Sequence, residues 1–127
     1  MTALITVTVL MLVQYTFFGA LVAKGRSTFQ VSAPAMTGPE GFERLVRVHL
    51  NTQERLILML PLMVTAAQFW SPLVVSAAGV LFLIGRVAYW RGYVEQPAKR
   101  MLGNVLTMVA IGVCLLATLA GLVKSAL

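Results

Sequence analysis

The chain has 127 residues; 59% are hydrophobic, 11% are charged, and ten Lys/Arg outweigh four Asp/Glu to leave a net charge of +6. A soluble domain carries about 25% charged residues, so this composition, with a mean hydropathy of +0.88, excludes an ordinary soluble domain and leaves room for roughly four membrane spans of about 20 residues each. The basic balance does not imply nucleic acid, because the cations flank apolar runs, where positive-inside bias and lipid headgroups account for them; the lone cysteine, Cys114, lies in an apolar run and offers neither an intrachain disulfide nor a cysteine metal cluster.

Residues 1–23 carry no charged side chain, and the run ends at Lys24, Gly25 and Arg26. A signal peptide would place basic residues ahead of a shorter apolar stretch, so this run is expected to be a retained first helix. The following STFQVSAPAMTGPEG, residues 27–41, is rich in Ser, Pro, Gly and Thr and reads as a structured loop. A second helix is expected over residues 40–70. Glu40 and Glu43 sit in its first turns, where the helix dipole is positive, and Pro61 is a potential kink. Trp70-Ser71-Pro72 is a very short turn that makes the second and third helices antiparallel neighbours. The third run covers residues 72–90 and stays apolar until Arg86. After the VEQP loop, Pro97 suits the first turn of a fourth helix that runs through residues 101–123 and stops near Lys124. The expectation is one all-α domain over residues 1–127, an integral membrane four-helix bundle.

Charge sets the orientation. Lys24, Arg26, Arg91, Lys99 and Arg100 fall at one end of such a bundle, and only Lys124 and the N-terminal amine at the other. Positive-inside bias therefore places both termini on the non-cytoplasmic side and the two larger loops in the cytoplasm.

The stretch RVHLNTQER, residues 47–55, puts charge into the first half of a spanning helix. At about 100° per residue, Arg47, Asn51 and Glu54 fall within a sector of roughly 60°, flanked by Glu43 and Arg44. His49 points to nearly the opposite face. Polar groups on two sides of one helix ask for polar company on both, which a symmetric oligomer supplies. In the third helix Arg86, Tyr89 and Tyr93 share a face, and Arg100 follows early in the fourth. Simple readings exist for each residue: Arg47 with Glu54, or Arg86 with a glutamate, as structural ion pairs; Arg91 and Lys99 as snorkelling anchors; Tyr89, Trp90 and Tyr93 as an aromatic belt; His49 as an interhelical hydrogen-bonding residue. Their convergence is harder to explain that way, since ionisable groups within a span are costly and mark functional sites. Guanidinium forks suit carboxylates, a carboxylate suits an ammonium, and an amide and phenols suit peptide groups. The set fits a small zwitterionic anion.

FERLVRVHLNTQE (residues 42–54), GRVAYWRGYVEQPAKR (85–100) and RSTFQVSAPAMTGPEGFER (26–44) together resemble the MAPEG superfamily, the integral-membrane glutathione transferases and their relatives, and are most similar to its leukotriene-forming glutathione transferase branch. The likeness rests on the E-R-x-x-R-x-x-x-N-x-x-E core and the R-x-x-Y-x-x-x-Y pattern, and it spans nearly the whole chain. It implies a homotrimer with a glutathione site at each subunit interface. By position, Arg47, Asn51, Glu54, Tyr89 and Tyr93 would bind glutathione from one subunit, with Arg26 and His49 from its neighbour. Arg86 would be a structural polar residue inside the bundle, and Arg100 would be catalytic, holding the sulfur as thiolate. Glutathione would be a co-substrate and no metal would be needed; the other partners would be a hydrophobic electrophile or lipid from the bilayer and the membrane lipids. The sequence departs from the branch at Arg55, where a tyrosine is usual, and at Ser27, where an arginine is usual. Met101 occupies the place of the serine used by the prostaglandin-isomerase branch, which argues against that branch. The function implied is glutathione transfer to hydrophobic electrophiles, with reduction of lipid hydroperoxides as a related activity. The alternatives are a non-catalytic lipid-binding or lipid-presenting protein on the same scaffold, and a small transporter or assembly factor without glutathione chemistry.

Overall fold

The computed structural model describes all residues, 1–127. Four helices follow one another, α1 (Thr2–Phe29), α2 (Glu40–Ala66), α3 (Pro72–Glu95) and α4 (Met101–Ala126), with a single 3-10 turn, Pro97–Arg100, leading into α4. The first and third of these, and the fourth with its leading turn, are each long and apolar enough to cross a bilayer. The second is long enough at 27 residues, but its first half is too polar to qualify by composition. The protein is an all-α integral membrane bundle.

Three boundaries differ from the sequence expectation, each for a tertiary reason. The first helix does not stop at Lys24-Gly25-Arg26. It runs on to Phe29, whose ring lies over Gly41 and packs with Val22, Phe42 and Val46. Gln30 then ends it in the left-handed conformation at φ 55°, and the N–H groups of Gln30 and Val31 both return to the Arg26 carbonyl. The second helix ends at Ala66 rather than Trp70, because Trp70 Nε1 donates to the Ala117 carbonyl at 2.8 Å and Phe69 lies against Gly121, which draws residues 67–70 out of the helical path. It passes through Pro61 without interruption. The third helix continues past Trp90 to Glu95, where Arg44 from α2 donates to the carbonyls of Val94 and Glu95 at 3.1 and 3.5 Å. A cation at a helix C-terminus satisfies carbonyls that have no intrahelical donor.

The core is split by depth. At the end holding the α2–α3 connection, Leu4, Val7, Met11, Met59, Met63 and Phe82 belong to one large apolar cluster. Towards the other end, which holds the α1–α2 and α3–α4 connections, there are only two small clusters, Phe18–Val48–Tyr89 and Val22–Phe42–Val46. Between the large cluster and these lies a buried polar layer of Asn51, Thr52, Arg86 and Thr107. The closest helix pair is α3 with α4. Gly85 faces the Thr107 backbone and Gly103 faces the Tyr89 backbone, each with no room for a Cβ. Small residues allow this backbone approach where lipid supplies no hydrophobic drive. It brings the tyrosine face of α3 beside the start of α4.

Candidate functional site

Two chains of contacts meet at the end of the bundle that holds the α1–α2 and α3–α4 connections. The first runs along α2. Glu54 receives Arg47 Nη1 at 3.6 Å on Oε1 and Asn51 Nδ2 at 3.1 Å on Oε2. Arg47 and Glu54 are each about half exposed, at 52% and 54%, while Asn51 is buried and its Oδ1 has no partner. The helical spacing puts cation, amide and carboxylate in one row, with the carboxylate already shared. The second chain runs from α3 to the 3-10 turn. The Arg86 guanidinium lies 4.2 Å from the Tyr89 ring centre, the Tyr89 and Tyr93 rings are 5.6 Å apart, and Arg100 sits 5.4 Å from the Tyr93 ring. Cations over ring faces are attracted by the ring quadrupole, so each tyrosine orients an arginine and is oriented by it.

An open cleft of about 290 Å³ joins the two chains, with Arg47, Arg44, Glu43 and Glu40 on one wall and Tyr93 and Pro97 on the other. Met36, from the α1–α2 connection, forms part of the rim. The walls thus offer two guanidinium groups, two carboxylates and a phenol. Such a cleft can hold a ligand that carries carboxylates and an ammonium at once.

Arg26 and His49 are not brought to this cleft within the chain. Arg26 donates to the Ala35 carbonyl at 2.7 Å and lies 5.2 Å from the Phe42 ring, and its Nη2 is 3.6 Å from the sulfur of Met36. His49 is on the other side of α2 from Arg47, stacked on Tyr15 of α1 at 4.5 Å and lying beside Gly19. The Tyr15 hydroxyl in turn donates to Gln53 Oε1 at 3.3 Å.

Arg86 is not paired with either glutamate, which corrects that sequence expectation. It is completely buried, and both Nε and Nη2 donate to the Thr52 hydroxyl, at 3.2 and 3.0 Å. That hydroxyl donates its own proton to the Val48 carbonyl at 2.7 Å. Of the simple pairs considered from sequence, Arg47–Glu54 forms; the other ion pairs are Arg44–Glu40 and Lys99–Glu95. Arg91 lies over the Trp90 ring.

Sequence reasoning passed over three contributors. Arg44 was read as a flank, yet it ties the start of α2 to the end of α3 and lines the cleft. Thr52 was not singled out, although a hydroxyl at i+4 from Val48 is the one acceptor Arg86 has. Asn104 was not singled out either. It stands four residues after Arg100 as the lone carboxamide of α4, and its Oδ1 accepts a long hydrogen bond of 3.5 Å from Arg55.

The MAPEG family model matches residues 4–120. Among similar proteins, an uncharacterised protein of Synechocystis is 38% identical over 104 residues, covering 82% of this chain and 74% of that protein. Human microsomal glutathione S-transferase 2 is 30% identical over 118 residues, covering 93% and 78%. Bovine leukotriene C4 synthase is 32% identical over 98 residues, covering 77% of this chain and 65% of its own length. With a family match over nearly its whole length, on a helical bundle whose polar end carries the site described above, this chain belongs to the MAPEG family.

Proposed function

We propose that this protein is a membrane glutathione transferase that binds glutathione in the cleft between α2 and α3 and ionises its thiol at Arg100. The observation that carries the reading is the convergence of Arg47, Glu54 and Asn51 with Tyr89, Tyr93 and Arg100 at one end of an otherwise apolar bundle. The names of the human and bovine relatives point to the same chemistry.

In this reading the glutathione carboxylates meet Arg47 and the ammonium meets Glu54, while Asn51 and the tyrosine hydroxyls serve the peptide groups. Asn51 Oδ1, buried without a partner, is free to accept an N–H. A free thiol titrates at about 8.5 and is mostly protonated at neutral pH. Bringing it down by about two units takes roughly 2.7 kcal/mol of preference for the anion. Arg100 precedes the first residue of α4, where its guanidinium and the positive end of the helix dipole favour negative charge together. The thiolate then attacks the electrophilic carbon of an apolar substrate arriving from the bilayer: the carbon–sulfur bond forms and the leaving group departs with the electron pair. With a lipid hydroperoxide the thiolate would instead attack the distal oxygen, the O–O bond breaking to release the alcohol, and a second glutathione would reduce the resulting sulfenic acid to give glutathione disulfide and water.

Arg26 and His49 complete the site from a neighbouring copy in a homotrimer, with both termini on the non-cytoplasmic side and the cleft facing the cytoplasm. The position of His49 on the side of α2 away from Arg47, stacked on Tyr15, supports this. Replacing Arg100 with Ala is expected to lower kcat about 10²–10³-fold, the usual cost of losing one donor to a developing or held anion. It should abolish the ultraviolet absorbance of bound thiolate while leaving glutathione affinity within about threefold, a difference of under 1 kcal/mol. Undiminished thiolate absorbance in that variant would remove Arg100 from its role. Failure of the wild-type protein to bind glutathione would remove the whole reading and favour a lipid-presenting or assembly protein.

A further inference from the structure

The connection between α1 and α2 holds a thioether sulfur beside a guanidinium. Arg26, near the end of α1, divides its fork between two adjacent residues of that connection. Nη1 donates to the Ala35 carbonyl at 2.7 Å, and Nη2 donates to Met36 Sδ at 3.6 Å. The guanidinium carbon lies 5.2 Å from the centre of the Phe42 ring, which helps to hold it there. Arg26 takes part in none of the ion pairs. A thioether is a weak acceptor, so one arm of a permanent cation rests on a poor partner. Met36 is 44% exposed and stands on the rim of the cleft.

The chain has seven methionines. Met11, Met59 and Met63 are wholly buried in the apolar cluster. Met1, Met101 and Met108 are exposed, at the starts of α1 and α4 and along α4. Met36 is the one whose sulfur meets a hydrogen-bond donor. Hydroperoxides oxidise thioethers to sulfoxides. The sulfur attacks the distal oxygen; the S–O bond forms, the O–O bond breaks, and the proton of the attacked oxygen passes to the departing one, which leaves as an alcohol. Sulfur is oxidised and the peroxide reduced by the same electron pair. Negative charge grows on the departing oxygen, and a guanidinium N–H beside the sulfur is placed to donate to it. In the product a polar oxygen on sulfur replaces the weak acceptor, within reach of the same N–H.

We propose that Met36 is an oxidation site on the cleft rim, where Arg26 promotes sulfoxide formation by a hydroperoxide and then holds the sulfoxide oxygen. Its effect on the cleft rests on the transferase reading, in which Arg26 serves glutathione in a neighbouring copy. With a thioether as partner, Arg26 is loosely held and free to turn to that ligand. With a sulfoxide as partner it is retained by the connection, so glutathione competes against a stronger bond and binds less well. Hydroperoxide thereby lowers glutathione affinity through one side chain. Sulfoxide reductases restore the thioether, so the change is reversible.

The test treats the whole chain in detergent with tert-butyl hydroperoxide and follows each methionine by peptide mass spectrometry. By exposure alone Met101, at 63%, should react ahead of Met36, at 44%. The proposal reverses that order, with Met36 leading by about threefold or more. Arg26→Gln should slow Met36 by about threefold or more and leave the rate at Met101 as it was. Wild-type protein oxidised at Met36 should show a glutathione KM raised about fivefold, with 1-chloro-2,4-dinitrobenzene as the electrophile, and methionine sulfoxide reductase should bring it back. Met36→Leu has no thioether at that position, and under the same treatment its KM should stay within about twofold of its own starting value. Should Arg26→Gln not fold, the wild-type order of oxidation and the Met36→Leu variant still decide. Met36 reacting no faster than Met101, or as fast in Arg26→Gln as in the wild type, overturns the oxidation site. A KM that oxidation leaves unchanged, or that moves equally in Met36→Leu, overturns its effect on the cleft. If the wild-type protein neither binds nor conjugates glutathione, the transferase reading fails on its own, and the order of oxidation and its dependence on Arg26 still decide the oxidation site.

Discussion

The two halves of α2 obey different physics. In the half from Leu56 onward, Leu56, Met59, Met63 and Ala66 are buried at helical spacing, and Ile57, Leu58 and Val64 between them face lipid. Every buried residue there is apolar, and packing holds the segment, joined to α4 near its end by a contact of 3.3 Å between the Thr65 and Thr118 hydroxyls. In the half that begins at Glu40, the buried residues include Asn51 and Thr52, and the flanking charges are held by one another, by the Gly38 N–H, by carbonyls of α3 or by Asn104 of α4. Polar groups buried with some atoms unpaired make a bundle less stable than apolar side chains of the same shape would. One helix thus has a half selected for packing and a half that gives up stability to hold charge at depth.

The largest expected effects set the two halves directly against each other. Met63 is fully buried in the apolar cluster, and Met63→Ala should destabilise the protein by about 2–5 kcal/mol through lost transfer energy and the cavity left behind. Arg86 is just as buried, but Arg86→Met should leave stability unchanged or raise it by about 1–4 kcal/mol, since an apolar side chain of similar length relieves an unpaired charge. Thermal unfolding in detergent measures both. A loss in Arg86→Met as large as that in Met63→Ala would erase the distinction between the halves.

A smaller effect probes how the polar half is aligned with α3 and α4. Gly103 lies against the Tyr89 backbone with no room for a Cβ, whereas a Cβ at Gly112, on the same helix, meets nothing within 4 Å. Gly103→Ala should cost about 1–3 kcal/mol by overpacking and should displace Tyr89 and the Arg100 turn, lowering kcat. Gly112→Ala should be neutral or stabilising by up to about 1 kcal/mol, the helix-propensity gain. Equal behaviour of the two variants in unfolding and turnover assays would show that this close approach does not align the site.

Composition, four helices and the polar half of α2 were legible in the sequence because lipid imposes them: a run of apolar residues and a row of charges mean the same thing in any bundle. Arg47, Asn51 and Glu54 were legible as one face, since helical angle needs no tertiary knowledge. The partner of Arg86 was not. A charge in a sequence suggests an opposite charge, and here the acceptor is the Thr52 hydroxyl, set by which turn of α3 lies against which turn of α2. The ends of α1 and α2 were misread for a similar reason. Phe29 and Trp70 find packing and hydrogen-bond partners in other helices, and those partners override the local signals at Lys24-Gly25-Arg26 and Trp70-Ser71-Pro72. Arg26 and His49 lie outside the cleft lining within one chain, and no pattern within one helix encodes which tertiary neighbours a side chain meets.

The smallest expected change in stability accompanies a clear change in binding, and that contrast is the sharpest probe of the polar half. Arg47 and Glu54 are both about half exposed and 3.6 Å apart, so solvent screens the pair and it contributes only about 0–1 kcal/mol. Arg47→Gln should therefore shift the unfolding midpoint little. If Arg47 instead serves to meet a glutathione carboxylate, the same substitution should raise the glutathione KM about tenfold, the equivalent of roughly 1.4 kcal/mol. It should also flatten the rise of that KM with added salt, since screening acts on the charge that has been removed. A large fall in the unfolding midpoint with an unchanged KM would make the pair a fastener between turns of α2. In that event Arg44 would be the guanidinium left on that wall of the cleft, already committed to the α3 carbonyls and to Glu40, and the cleft would have no cation free to receive a peptide carboxylate.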